Sequence, residues 1–281
     1  DVVDFAAPDA PERFTESLRT TGFAVVTNHP LPWELVQSLY AEWGEFFTSG
    51  AAEAYTVGPD SQEGYFPPKI AETAKGRTVR DLKEFFHVYP WSDKYPSEVS
   101  DNAMKYRDIA TDVASTLLGW VDANIPMEVA EKLSRPVADM LTGNSRTLLR
   151  ILRYPPLEGV APEGAVRAAA HEDINLLTVL PASNETGLEL LGADGEWYAV
   201  PCDPGSIAVN CGEMLDLATE GYLPATTHRV VNPVGEAATR ARMSMPLFLA
   251  AADDVIITDG RTAEELLAER IAELRSQDST D

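Results

Sequence analysis

Cysteine, histidine and basic residues are all scarce in this chain of 281 residues. The two cysteines, Cys202 and Cys211, fall in or beside apolar, strand-like runs. So few exclude a disulfide-stapled scaffold, and two buried free thiols are expected. Lysine and arginine number 22 against 45 aspartates and glutamates, a formal net charge of −23. A surface of that sign repels nucleic acid and anionic membranes, so neither is expected as a partner. No apolar run approaches the ~18 residues of a membrane-spanning helix. The opening stretch, DVVDFAAPDAPERF, lacks a charged segment followed by an apolar one, so a cytoplasmic location is expected. Internal repeats, low-complexity tracts and Gly/Ser linkers are missing too.

What is present suits a sizeable core: 44% of the residues are hydrophobic, and one domain over 1–281 is expected. Residues 1–145 read mostly as helix. Asp9 and Glu12 mark a helix start, with Phe14 and Leu18 following at i, i+4. GFAVVTN (22–28) reads as a buried strand. Val36, Leu39, Tyr40, Trp43, Phe46 and Phe47 form the apolar face of a helix over about 32–48. Tyr106, Ile109, Val113, Leu117 and Trp120 repeat at three and four along a longer one, and a further helix is expected over 127–142. The pattern changes near Arg146. TLLRILRYPP, LLTVLPA, LELL, WYAVP, SIAVN, THRVVNP and SMPLFLA are short β-rich runs separated by turn signals, as in a sandwich or barrel. This core is expected over 146–250. Helix returns in the tail (251–281), where Thr262 and Glu265 form a capping box.

Three ionisable side chains stand out. His171 and Asp173 flank one residue in AAHEDINLLTVL, and His228 opens HRVVNP 57 positions later. At i, i+2 on a strand the first two share a face. Two imidazoles and one carboxylate suit a divalent iron that keeps open positions for substrate and oxygen. Arg242 and Ser244 stand two apart in RARMSMPLF, on a run whose Met243, Met245, Leu247 and Phe248 mark it as buried. A buried arginine needs an anion, and this pair could grip a small dicarboxylate by its far end.

The ordered set of segments resembles the isopenicillin-N-synthase-like family of iron(II)/2-oxoglutarate-dependent dioxygenases over most of the chain. It is carried by GFAVVTNHPLP (22–32), GYFPPKIAETAKG (64–76), DLKEFFHVYP (81–90), LRILRYPPL (149–157), HEDINLLTVL (171–180), GLELLGADGEWYAVP (187–201), PGSIAVNCGEML (204–215), THRVVNP (227–233) and RARMSMPLF (240–248). The resemblance implies a double-stranded β-helix, or jelly roll, braced by helices. It implies that His171, Asp173 and His228 bind iron, and that Arg242 and Ser244 hold the distal carboxylate of 2-oxoglutarate with Tyr154 assisting. Two departures stand out: Leu152 and Arg153 replace the asparagine and aromatic common before that tyrosine in plant members, and Glu213 replaces a usual aspartate.

The implied reaction consumes oxygen and 2-oxoglutarate, releases succinate and carbon dioxide, and oxidises a small molecule, with hydroxylation the expected outcome. An amino acid, an organic acid or a natural-product intermediate would suit. Tyr65, Lys69, Arg77, Phe85 and His87 lie in family-like segments and are candidate substrate contacts. Two alternatives remain open at this point. One is an oxidase like isopenicillin N synthase or aminocyclopropanecarboxylate oxidase, which does not consume 2-oxoglutarate; the other is a jelly-roll binding protein with a vestigial metal site.

Overall fold

In chain order the strands are β1 (Val2–Asp4), β2 (Phe23–Thr27), β3 (Gly64–Phe66), β4 (Glu84–Val88), β5 (Leu148–Tyr154), β6 (Ala168–His171), β7 (Leu177–Pro181), β8 (Leu188–Leu191), β9 (Trp197–Ala199), β10 (Ile207–Cys211), β11 (His228–Val230), β12 (Arg242–Ser244), β13 (Leu247–Leu249), β14 (Ile256–Thr258) and β15 (Arg261–Thr262). The helices are α1 (Ala10–Thr21), α2 (Trp33–Thr48), α3 (Asn102–Asn124), α4 (Met127–Ala130), α5 (Glu213–Ala218) and α6 (Ala263–Asp278). These come from a computed structural model that describes residues 1–58, 61–70, 81–157 and 165–278.

Two sheets face each other as a jelly roll. The larger has nine strands, in the order β1-β2-β10-β7-β13-β5-β4-β3 with β12 also paired to β5; the smaller has four, β6-β11-β8-β9. The larger sheet has one apolar face against the helices and the other against the smaller sheet. Period two sorts its side chains between them. On β4, Phe86 joins Trp43, Phe46 and Phe47 of α2 in the main core, while Phe85 joins Leu152, Tyr154, Ala168 and Val230 between the sheets. Trp43 is fully buried, its ring 5.2 Å from Phe46 and 5.3 Å from Phe86. Burying a side chain of this class contributes roughly 1.5–3 kcal/mol, so this aromatic cluster is a principal clamp between helices and sheet.

The expected helices over 32–48 and along the Tyr106–Trp120 face are α2 and α3, and the capping box is present. Thr262 N–H donates to the Glu265 carboxylate (2.9 Å) and Glu265 N–H to Thr262 Oγ1 (3.3 Å). Two expectations need correction. The helix over 127–142 stops at Ala130, and a 3-10 turn resumes at Ala138–Leu141. One helix cannot run through to 142, because Pro136 cannot donate within a helix and disfavours helical backbone in the residue before it. The Asp122 carboxylate instead accepts from Val137 N–H (2.7 Å) and Ala138 N–H (2.9 Å). Secondly, the region before Arg146 is less helical than expected, since besides the expected strand β2 it contributes β1, β3 and β4 to the larger sheet. EFFHV is buried on both faces and so shows none of the alternation that marks a half-exposed strand.

Candidate active site

β6 and β11 run antiparallel with His228 directly opposite His171. The pairing shifts by one residue between His228 and Val230, which opposes Ala168, so both histidines face the inter-sheet space near Val230 and Ala168. Their rings lie 4.4 Å apart. Each imidazole is turned by its own backbone: His171 Nδ1 bonds the Ala169 carbonyl (2.7 Å) and His228 Nδ1 the Thr226 carbonyl (3.0 Å). With Nδ1 as donor, both Nε2 atoms are left as acceptors facing inward. Phe23 stands edge-on to His228 at 5.5 Å.

Asp173 completes the group. Its Oδ1 lies 3.8 Å from each Nε2. Its Oδ2 accepts from Thr178 Oγ1 (2.6 Å) and Asn210 Nδ2 (2.9 Å), which fix the carboxylate plane. Burial pushes the Asp173 carboxyl upward, but His228, His171 and those two hydrogen bonds outweigh it and hold it below the usual range. Desolvation by the surrounding protein and then the neighbouring His228 lower His171 although 43% of its side chain is exposed, which favours the neutral imidazole that can donate a lone pair. Two imidazole nitrogens and one carboxylate oxygen within 4.8 Å of one another fit a divalent metal on one side and leave its other positions open.

Asn210 was not foreseen. It interrupts the apolar run SIAVNC, and a lone amide inside a fully buried strand was the available signal. Gly212, two residues on, is required by close approach: a Cβ there would run into the Asn175 carbonyl oxygen. Glu213, the second departure, pairs with Arg270 of α6 at 2.7 Å and so anchors the tail helix.

Ala208 lies two residues before Asn210 on β10, on the face that carries Asn210 to Asp173. It lines a small open cleft with Leu188, Val200, Cys202 and Arg242. Arg242 and Ser244 are 2% and 4% exposed on β12, opposite Tyr154 and Leu152 of β5. The Arg242 guanidinium lies 5.3 Å from the Tyr154 ring, and its Nε donates to the Glu185 carbonyl (3.1 Å). Its Nη1 is buried without a hydrogen-bond partner. Of the first departure, Leu152 lines the inter-sheet space, whereas Arg153 points the other way and pairs with Glu84 at 2.5 Å.

The five candidate substrate contacts separate. Phe85 and His87 share a face of β4 with the inter-sheet cluster, and Phe66 stacks on Phe85 at 4.6 Å. Tyr65 lies on the opposite face, 5.9 Å from Phe47 of α2, with its hydroxyl on Glu84. Lys69 is exposed in a 3-10 turn, and Arg77 lies outside the described residues. Two other cations occupy the inner face instead. The Lys83 ammonium is 5.8 Å, and the Arg150 guanidinium 4.6 Å, from the Phe85 ring centroid. Lys83 pairs with Asp81 (3.0 Å), whose other oxygen accepts from Ala169 N–H (3.1 Å) beside the His171 strand. Arg150 Nε donates to His87 Nε2 at 2.8 Å, leaving His87 Nδ1 to donate to the Gln62 carbonyl at 2.8 Å.

Comparison with known proteins agrees with this geometry. Residues 146–251 match the 2OG-Fe(II) oxygenase superfamily, and residues 1–108 match the N-terminal region of the non-haem dioxygenase in morphine synthesis. A Shewanella oneidensis protein described as an oxygenase has a crystal structure that superposes with a TM-score of 0.87 at 44% identity, over 98% of both chains. Gibberellin 2-beta-dioxygenase of Phaseolus coccineus is 27% identical over 88% of this chain and 75% of its own length. Mugineic-acid 3-dioxygenase of Hordeum vulgare is 28% identical over 90% and 73%. The chain therefore belongs to the 2OG-Fe(II) oxygenase superfamily, in its isopenicillin-N-synthase-like group, and is an Fe(II)- and 2-oxoglutarate-dependent dioxygenase.

Proposed function

We propose that this enzyme oxidises, by hydroxylation, a small organic acid held against the Phe85 wall of the inter-sheet space. The observation that carries the reading is the pair of cations on that wall, Lys83 and Arg150, bracketing one buried aromatic ring. Lys83 pairs with Asp81, whose other oxygen bonds Ala169 N–H two residues before His171, so a carboxylate beside Lys83 would lie close to the metal ligands. Phe85, Phe66 and His87 would pack against the organic part, and the surrounding apolar side chains would exclude water.

His171 and His228 would each hold iron through Nε2 and Asp173 through Oδ1, with Thr178 and Asn210 keeping the carboxylate from turning. Bound iron supplies the oxygen chemistry; the protein supplies orientation, charge and a dry cavity. Arg242 would take the distal carboxylate of 2-oxoglutarate, with Ser244 beside it and Tyr154 across the strand pair. The orphaned Nη1 of Arg242 supports this, since a buried guanidinium nitrogen without an acceptor is costly and an incoming carboxylate satisfies it. We further read the chain as one functional domain, because β2 pairs β10 and β4 pairs β5 across its two halves. It would work in the cytoplasm, where free thiols such as Cys202 and Cys211 stay reduced.

The test is succinate formation coupled to substrate oxidation across a panel of small carboxylic acids, their amides and matched amines. Acids should couple best, and Lys83→Met or Arg150→Met should lower coupling for acids and not for amides. Preferential turnover of amines or amides would sink the acid assignment. Product formation without stoichiometric succinate would contradict 2-oxoglutarate use.

A further inference from the structure

Arg167 stands immediately before β6, four residues ahead of His171, and its side chain is fully buried. An arginine keeps its charge at any physiological pH, so burying one without acceptors costs several kcal/mol. Here only Nη2 has a partner, the Arg240 carbonyl oxygen at 3.1 Å. Nε and Nη1 are both buried with no hydrogen-bond partner. The guanidinium lies 5.9 Å from the Tyr154 ring, the same ring that Arg242 approaches to 5.3 Å. Three orphaned guanidinium nitrogens, two from Arg167 and one from Arg242, are thus gathered around one tyrosine.

The local charge balance points the same way. The Glu185 carboxylate is occupied by Arg240 at 2.5 Å and 3.3 Å, and Arg240 is exposed and pairs with Glu236 as well. Arg242 reaches only the backbone carbonyl of Glu185. Arg167 and Arg242, both buried, have no carboxylate partner among the described residues, and a bound anion would relieve their uncompensated charge.

We infer that Arg167 is a second co-substrate-binding arginine, so that the distal carboxylate of 2-oxoglutarate is held between Arg167 and Arg242 beside Tyr154. This rests on the proposal that Arg242 marks the distal end of the co-substrate. It goes beyond the Arg-x-Ser pair by adding a cation from the residue just ahead of the strand that carries His171. The two would act together: Arg167 supplies donors and charge on one side of Tyr154, Arg242 on the other.

The experiment compares affinities for 2-oxoglutarate and 2-oxovalerate, which has the same carbon chain without the distal carboxylate. Titration calorimetry on Mn(II)-loaded, full-length protein measures binding without turnover. Arg167→Gln should weaken 2-oxoglutarate at least about tenfold, as expected for loss of one partner of a buried charge pair, and leave 2-oxovalerate unchanged. Arg167→Lys, which keeps the charge and the bulk, should recover part of that loss. If Arg167→Gln does not fold, Arg167→Lys alone decides: an unchanged preference for 2-oxoglutarate over 2-oxovalerate overturns the inference. Equal weakening of both ligands also overturns it, since that marks a structural role. Arg242→Gln is measured in parallel. Loss of preference there but not in the Arg167 variants defeats only the second arginine; wild-type preference in Arg242→Gln defeats the assignment of the distal end itself.

Discussion

Asp173 Oδ1 is equidistant, at 3.8 Å, from the Nε2 atoms of His171 and His228. Strand register sets the histidines, because His228 is the direct cross-strand partner of His171. Asp173 lies two residues past the end of β6 and is fixed by hydrogen bonds from Thr178, Asn210 and Glu213 N–H. Sites built on paired strands hold their geometry better than sites built on loops. The ligand set should therefore be largely preformed before any metal binds.

Replacing His228 with alanine should abolish iron-dependent succinate formation while leaving a cooperative thermal transition. Mn(II) should raise the Tm of the wild type and not that of the variant, since only a ligand that binds the native state shifts it. An unchanged Mn(II) response in the variant would remove His228 from the metal site.

Asn210→Ala deletes the amide that holds Asp173 Oδ2. Groups that orient a metal ligand typically contribute about 10- to 100-fold to affinity or activity, and a loss in that range is expected here. The affinity for Mn(II), measured directly, checks it. Thr178→Val should act in the same direction, because its hydroxyl bonds the same oxygen at 2.6 Å.

Arg242→Ala should raise the apparent KM for 2-oxoglutarate by roughly 30-fold or more, the equivalent of at least about 2 kcal/mol for a buried charge pair. Initial-rate kinetics at saturating substrate acid provide the measurement. Unchanged 2-oxoglutarate dependence would mean that the buried guanidinium serves the fold alone.

Gly212→Ala places a methyl against the Asn175 carbonyl oxygen, in the turn from which Glu213 N–H reaches the Asp173 carbonyl at 2.7 Å. Overpacking at such a contact costs typically 1–3 kcal/mol. Denaturant unfolding should show a loss of about that size, with weakened metal binding, because the turn and Asp173 are hydrogen-bonded to each other. A neutral substitution would show that the turn yields freely.

The cluster of His171, Asp173 and His228 and the burial of Arg242 and Ser244 were legible because each is a pattern of unusual residue types set in apolar surroundings. His171 and Asp173 were expected to share a face of one strand; the strand ends at His171 and Asp173 is brought alongside by the loop that follows, while Arg242 stands out against the apolar residues flanking it. α2, α3 and the tail capping box were legible because helical spacing and capping chemistry act within a few residues. The over-long helix at 127–142 failed because apolar spacing was weighed without the proline at 136. β3 and β4 were missed because burial on both faces erases the alternation that announces a strand.

What the sequence alone determined was the chemistry on offer: two imidazoles, a carboxylate, an arginine with a hydroxyl, and a scarcity of other cations and thiols. Which residues meet was decided only by the tertiary structure. Thr178 and Asn210 reach Asp173 from 5 and 37 positions away. Lys83 and Arg150 reach the Phe85 ring from separate strand segments, and Arg167 approaches the Tyr154 ring that Arg242 also faces. Lys69 and Arg77 carried the same charge in the sequence as Lys83, yet Lys69 is exposed and Lys83 is buried between the sheets. The physical reason is that a side chain's role depends on the face and register of its strand, and register is set by pairing with strands that are distant in the chain.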